Sequence, residues 1–171
     1  MPEYPDITVY IERLEAFVQG QVIEQIRFAG PFFLRTADPP IKSIHGAKVR
    51  GFERLGKRIV FVFSEERYLV LHLMIAGRLH WCKKGSKIPA KLGLAAFDFP
   101  NGTLLITEAG SKKRASLHFV KGRAHLESLN PGGLEVMDAS IGAFRKVLLS
   151  ENHTLKRSLT DLKTKQNIMY T

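Results

Sequence analysis

The chain has 171 residues, one cysteine and 44% hydrophobic residues, with 26 Lys and Arg against 16 Asp and Glu. That length holds one sizeable core and at most a small helical appendage, and Cys82 alone excludes an internal disulfide framework or a zinc site taking two thiolates from this chain. A net charge of +10 favours a polyanionic partner, nucleic acid first, because each phosphate neutralised releases counterions; a basic surface kept for solubility is the other reading.

From Asp6 to Val18, apolar residues at Ile7, Tyr10, Ile11, Leu14, Phe17 and Val18 fall at helical spacing, with Asp6 as cap and Gly20 as stop. Short runs of strand character follow over Val22–Phe28, Phe32–Arg35, Ala47–Leu55, Arg58–Ser64, Tyr68–Met74, Arg78–Trp81, Leu92–Phe97 and Thr103–Thr107. Turn signals separate them, among them Asp38-Pro39-Pro40, Leu55-Gly56-Lys57 and Pro100-Asn101-Gly102. Short strands joined by tight turns predict an antiparallel sandwich or barrel, not alternating β and α units. After Asn130-Pro131-Gly132-Gly133 two short helices are expected, over Ala143–Leu149 and Thr154–Leu162, with Asp138 and Asn152 as caps. The domain boundary is placed there, between residues 1–131 and 132–171. No apolar run reaches the length of a membrane helix and the N-terminus does not read as a signal peptide, so a soluble protein of a reducing compartment is expected, mature apart from Met1.

Four features carry chemistry. A small second residue allows removal of Met1, which leaves Pro2 with a free secondary amine whose pKa, near 8, keeps a fraction unprotonated at neutral pH. Such an amine can attack a sugar C1′ to give an iminium, with Glu3 beside it to shuttle protons; the bland reading is a capped helix entry. Gly56 permits a tight turn that projects Lys57 toward a phosphate or a reacting sugar, or else leaves it at a solvated hairpin tip. Between His72 and Gly77, an apolar side chain on a turn can wedge into a base stack, although such residues more often belong to the core and His72 alone reads as a structural histidine. Lys112, Lys113 and Arg114 follow two small residues in a loop suited to phosphate contact or to plain solvation.

Taken together and in order, these features resemble the formamidopyrimidine-DNA glycosylase and endonuclease VIII family of DNA repair enzymes. The opening Pro2-Glu3-Tyr4-Pro5-Asp6-Ile7-Thr8 is similar to the family's Pro-Glu-Leu-Pro-Glu-Val-Glu, and Gly56-Lys57 to its Gly-Lys turn. His72-Leu73-Met74-Ile75-Ala76-Gly77 is similar to its His-Leu-Gly-Met-Ser-Gly, and Leu155-Lys156-Arg157-Ser158-Leu159 to the helix entering its helix-two-turn-helix region.

The resemblance implies an α+β fold: a two-layer antiparallel β-sandwich flanked by helices, followed by a partial helix-two-turn-helix segment. It implies Pro2 as Schiff-base nucleophile, Glu3 as proton-transfer group and Lys57 as the hairpin lysine, with His72, Ile75, Lys112, Lys113, Arg114, Lys156 and Asn167 as DNA-binding residues. The expected partner is double-stranded DNA carrying damaged bases or abasic sites, bound by a monomer without cofactor or metal, in the cytoplasm, or on the nucleoid in a bacterium. The sequence departs from the family at Ile75, which stands where the family has an intercalating methionine, and at Glu108 to Arg114, which do not match its Asp-Pro-Arg-Arg-Phe-Gly loop. The residues from Leu162 onward lack the family's Gly-Ile-Gly-Asn turn and its C-terminal finger, so a homologue that binds DNA with little turnover is the alternative.

Overall fold

The computed structural model describes residues 2–130, 132, 134, 135 and 139–149. The expected helix over Thr154–Leu162, the capping residues Asp138 and Asn152, and the site residues Lys156 and Asn167 lie outside the described residues.

Helix α1 (Tyr4–Val18) buries Ile7, Leu14 and Val18 along one face. It begins two residues earlier than the sequence reading. Glu3 is the N-cap and Asp6 the third helical residue, whose carboxylate accepts the Glu3 backbone N–H at 2.8 Å. Asp6 therefore serves the cap from inside the helix, as in a capping box. Pro5 sits in the first turn, where no backbone donor is needed.

Among the described residues eight strands follow: β1 (Gln25–Phe28), β2 (Gly51–Leu55), β3 (Arg58–Phe63), β4 (Arg67–His72), β5 (Gly77–Cys82), β6 (Gly93–Phe99), β7 (Gly102–Glu108) and β8 (Ser116–Lys121). They form two four-stranded antiparallel sheets, ordered β1-β6-β7-β5 and β2-β3-β4-β8. The α+β fold of two antiparallel layers with helices is thus as the sequence predicts. Alternation decides which side chains face inward. Ile59, Phe61 and Phe63, with Leu69, Leu71, Leu117 and Phe119, join Ala95, Phe97, Phe99, Leu104 and Ile106 in one buried cluster. Phe61 and Phe97 meet edge-on across the layers, with ring centroids 5.8 Å apart. On the opposite face of the second sheet, Val60, Tyr68, Val70 and Val120 gather under Leu126 of helix α2 (Arg123–Ser128).

Several elements differ from the expectation. Residues Phe32–Arg35 form no strand: only Leu34 makes a single bridge, to Leu117, while Phe32 is 80% exposed. The runs from Val22 and from Ala47 begin their ladders later, at Gln25 and Gly51, because their first halves pair only through the Val22–Lys48 bridge. Strand β8 and helix α2 are additions. Helix α3 (Ile141–Leu148) starts two residues early, capped by Ser140, whose hydroxyl accepts the Ala143 N–H at 3.1 Å.

Register places the chemistry. Arg58 is paired with His72 and His72 with Ser116, so the start of β3, the end of β4 and the start of β8 share one row. In the other sheet Gly77, which opens β5, is paired with Glu108, which closes β7. Ala109 N–H reaches the Ala76 carbonyl at 3.4 Å and so ties the two loops to each other.

Candidate active site

The β2–β3 hairpin turns at Gly56, whose φ of +60° is a conformation costly for residues with a Cβ. The turn carries Lys57 back toward the start of α1, where its ammonium forms an ion pair with the Glu3 carboxylate. Both side chains are largely shielded, at 17% and 12% exposure, so solvent screens the pair less than a surface salt bridge. Pro2 is one residue away and is buried in the chain as it stands, with Met1 ahead of it. In that form its nitrogen belongs to a tertiary amide, and only loss of Met1 would make it a basic amine.

Arg54 is a site residue to which the sequence reading gave no role. Its guanidinium lies 4.5 Å from the centroid of the Tyr4 ring, donates to the Gly56 carbonyl at 3.1 Å and contacts the Glu135 carboxylate at 3.0 Å. It therefore joins the first turn of α1, the hairpin turn and residue 135. The signal for it was its position two residues before Gly56 in a basic hairpin, but the contact with Tyr4 depends on the fold.

His72 ends β4, beside Arg58 in the ladder. Burial, followed by the charges of Arg58, Lys57 and His118, pushes its pKa down to about 4. The imidazole is thus neutral at physiological pH, a donor and acceptor and not a cation.

The turn after His72 is built to display Ile75. Leu73 is buried, Met74 adopts φ +54°, and Gly77 N–H closes the turn on the Leu73 carbonyl at 2.9 Å. A Cβ on Gly77 would lie 2.3 Å from that carbonyl oxygen, so only glycine fits. Arg78 braces the turn through the Gly77 carbonyl at 2.7 Å. Ile75 is left 53% exposed at the tip.

The basic loop is anchored by Glu108, which is itself buried. One carboxylate oxygen accepts the backbone N–H groups of Arg114 and Ala115, at 2.8 and 3.1 Å. Lys113 Nζ donates back to the Glu108 carbonyl, so this lysine closes its own loop instead of reaching outward. Lys112 and Arg114 remain exposed.

Glu3, Lys57, His72, Ile75 and the loop from Lys112 to Arg114 are thereby gathered at one end of the sandwich. Among the described residues, no group of three His, Cys, Asp or Glu side chains is placed to hold a metal ion. No helix among them is long and apolar enough to cross a membrane.

An N-terminal capped helix docked through a carboxylate–lysine pair onto a two-layer sandwich defines the structural class. Residues 1–123 match the formamidopyrimidine-DNA glycosylase N-terminal domain, and the chain belongs to that family. It is similar to the formamidopyrimidine-DNA glycosylase of Mycoplasma genitalium, 25% identical over 162 residues that cover 94% of this chain and 56% of that protein. The enzyme of the same name from Paraburkholderia phymatum is 33% identical over 92 residues, 53% of this chain and 33% of that protein. Among solved structures, the Lactococcus lactis enzyme bound non-covalently to DNA containing an abasic site has a TM-score of 0.67 at 21% identity, covering 74% of this chain and 48% of that one. A MutM complex with DNA containing carbocyclic 8-oxo-G also has a TM-score of 0.67, at 22% identity, and covers 74% of this chain and 47% of that one. The chain thus spans about half the length of the relatives it matches.

Proposed function

We propose that this chain is the catalytic part of a DNA base-excision enzyme, a glycosylase for oxidised or ring-opened bases with associated abasic-site lyase activity. The carrying observation is the ion pair of Glu3 and Lys57 one residue from Pro2, at the same end of the sandwich as His72, Ile75 and the basic loop. Family membership and the likeness to enzymes solved with damaged or abasic DNA support the reading.

Once Met1 is removed, the Pro2 secondary amine attacks C1′ of the damaged nucleotide and the bond to the base breaks, the departing base taking up a proton. Glu3 takes the proton that the newly bonded Pro2 nitrogen releases and passes it to the ring oxygen O4′, which opens the sugar and leaves an iminium between Pro2 and C1′. The iminium acidifies the C2′ proton; its abstraction expels the 3′ phosphate and nicks the strand. Hydrolysis then returns the free amine. Lys57 holds the Glu3 carboxylate at the start of α1 and lies where it can meet a phosphate of the reacting nucleotide. Ile75 fills the gap left by the extruded nucleotide, and Lys112 and Arg114 contact backbone phosphates.

In this account residues 1–131 are the catalytic domain and residues 132–171 a helical DNA-binding segment, to which Lys156 and Asn167 belong. The protein acts as a monomer in the cytoplasm or on the nucleoid, without a cofactor of its own. Nicking of a duplex with one abasic site, followed on a denaturing gel, tests the reading. Cleavage lost in Pro2→Gly supports it, and binding without any cleavage would favour the alternative of a DNA-binding homologue with little turnover.

A further inference from the structure

Strand β5 is an edge of the first sheet, paired with β7 alone. Its free backbone groups follow from the pairing of β7. Glu108 N–H donates to the Leu92 carbonyl at 2.8 Å, on the β6 side, so Glu108 turns away from its β5 neighbour Gly77. Antiparallel ladders alternate, so Thr107, Leu105 and Thr103 bond to Arg78, His80 and Cys82, while Leu79 and Trp81 aim their N–H and C=O groups outward. Gly77 N–H also leaves the ladder, for the Leu73 carbonyl at 2.9 Å, and the Arg78 guanidinium covers the Gly77 carbonyl at 2.7 Å. Among the described residues nothing bonds to the outward groups of Leu79 and Trp81. The edge of β8 is different. There Leu117 exchanges backbone hydrogen bonds with Phe33 and Arg35, and Phe119 N–H donates to the Thr36 hydroxyl at 2.8 Å.

Beside the free edge lies a cavity of about 250 Å³ between β5 and α1, walled by Leu14, Phe17, Leu79, Trp81 and Leu104. Phe17 stacks on Trp81 with ring centroids 5.3 Å apart, and the Asn101 side-chain amide donates to the Phe17 carbonyl at 2.7 Å. The last turn of α1 therefore sits at the Cys82 end of β5. Arg13 is one turn back, toward the Gly77 end, and lines the same cavity. It is exposed, and among the described residues no acid pairs with its side chain. Arg78 is exposed as well and donates only to carbonyls, so its charge is not neutralised.

The geometry points to a docking site for an extended acidic segment of a partner protein, added to β5 as a further strand with an aromatic side chain in the cavity. An extended chain is the ligand that offers alternating donors and acceptors to Leu79 and Trp81. Leu79 and Trp81 pack against the core cluster, so residues opposite them on an added strand point to the same side, toward α1. In antiparallel pairing the aromatic residue stands opposite Trp81, an acid two residues later stands opposite Leu79 and beside Arg13, and the next residue, also an acid, faces Arg78. Charge decides the source of the strand. A second copy brings another chain of charge +10, and residues 150–171 carry Lys156, Arg157, Lys163 and Lys165 against Glu151 and Asp161, so neither supplies an acidic strand. The site does not depend on the DNA-processing reading.

The probe is the peptide acetyl-Thr-Thr-Phe-Thr-Glu-Asp-amide, added to the full chain and followed by the fluorescence of Trp81, the single tryptophan, and by amide hydrogen exchange. Without peptide, the amides of Leu79 and Trp81 are expected to exchange at least about tenfold faster than those of Arg78 and His80. The peptide is expected to bind saturably with a Kd below about 1 mM and to slow those two amides. Methylating the backbone nitrogens of its Phe and Glu removes the donors to the Trp81 and Leu79 carbonyls and should abolish binding. Replacing its two acids by Lys should weaken binding about tenfold or more, and Arg13→Glu about fivefold at an unchanged unfolding midpoint. Slow exchange at Leu79 and Trp81 in the free chain would refute the site, because the edge is then already occupied; sedimentation as a dimer would identify a second copy as the occupant. Equal affinity for the methylated peptide, or no saturable change in Trp81, would also overturn it.

Discussion

The carboxylate of Glu3 and the ammonium of Lys57 form one ion pair, although one residue caps the first helix and the other tips the first hairpin. The pair fixes the entrance of α1, and so the Pro2 nitrogen, against the second sheet. Arg54 reinforces the same junction through the Tyr4 ring and the Gly56 carbonyl.

Glu3→Gln keeps the shape of the helix cap but removes the proton-transfer group. It is expected to slow iminium formation, and the strand nicking that follows it, about 10²- to 10⁴-fold, with duplex affinity changed no more than severalfold. Single-turnover kinetics beside a binding titration separate the two; an unchanged rate would remove Glu3 from the mechanism.

His72 ties stability to pH. Its pKa falls from 6.5 to about 4 on folding, because of burial first and then the charges of Arg58, Lys57 and His118. Between those values the unfolded chain holds a proton that the folded chain does not, so stability rises with pH across the window and is lost as pH falls through it. The loss is on the order of 3 kcal/mol for His72. His118 is shifted in the same direction and contributes alongside it. Denaturant midpoints from pH 7 down to 4 should show this slope, flattened in His72→Gln.

Glu108 acts on the basic loop through backbone hydrogen bonds. Glu108→Ala leaves the amides of Arg114 and Ala115 without their acceptor, at a cost of about 2–3 kcal/mol. Hydrogen exchange at those two amides should accelerate far more than exchange in β3 or β4. Uniform acceleration across the domain would instead mark a purely global effect.

Ile75 is half-exposed, so Ile75→Ala should leave stability within about 0.5 kcal/mol and act on DNA alone. The expected result is about tenfold weaker binding to an abasic-site duplex, with little change for an intact one. Gly77→Ala is the contrasting variant. Its Cβ collides with the Leu73 carbonyl, so the turn must open at a cost of about 2 kcal/mol or more, and Ile75 is displaced from its station. Equal thermal midpoints for the two variants would contradict this picture of the turn.

Helical spacing in α1 and tight turns at Gly56 and Gly102 were legible in the sequence because both are local signals. Phe32–Arg35 misled, since Phe33 is a core residue and Leu34 packs against the core while Phe32 faces solvent, and no ladder forms beyond one bridge. Strand β8 does show alternation, with Leu117 and Phe119 inward and His118 outward, but the strands expected from the sequence end at Thr107 and residues 117–121 are given no element. Helix α2 is six residues long and enters through Gly122 at φ +91°, with no side-chain cap to announce it. The candidate site was legible in its residue types and not in its supports. Glu3, Lys57, His72 and Ile75 stand in short motifs, whereas the task of Arg54 depends on the packing of α1 against the hairpin and that of Glu108 on the basic loop folding back onto it.

The central claim is that the Pro2 nitrogen bonds to a sugar carbon. The direct measurement is borohydride reduction of the chain mixed with abasic-site DNA, followed by nuclease digestion and mass spectrometry of the N-terminal peptide. The account predicts a chain that has lost Met1 and carries the reduced sugar remnant on Pro2, with no such adduct in Pro2→Gly. A remnant on any lysine instead, or retention of Met1 in protein that nicks DNA, would contradict it.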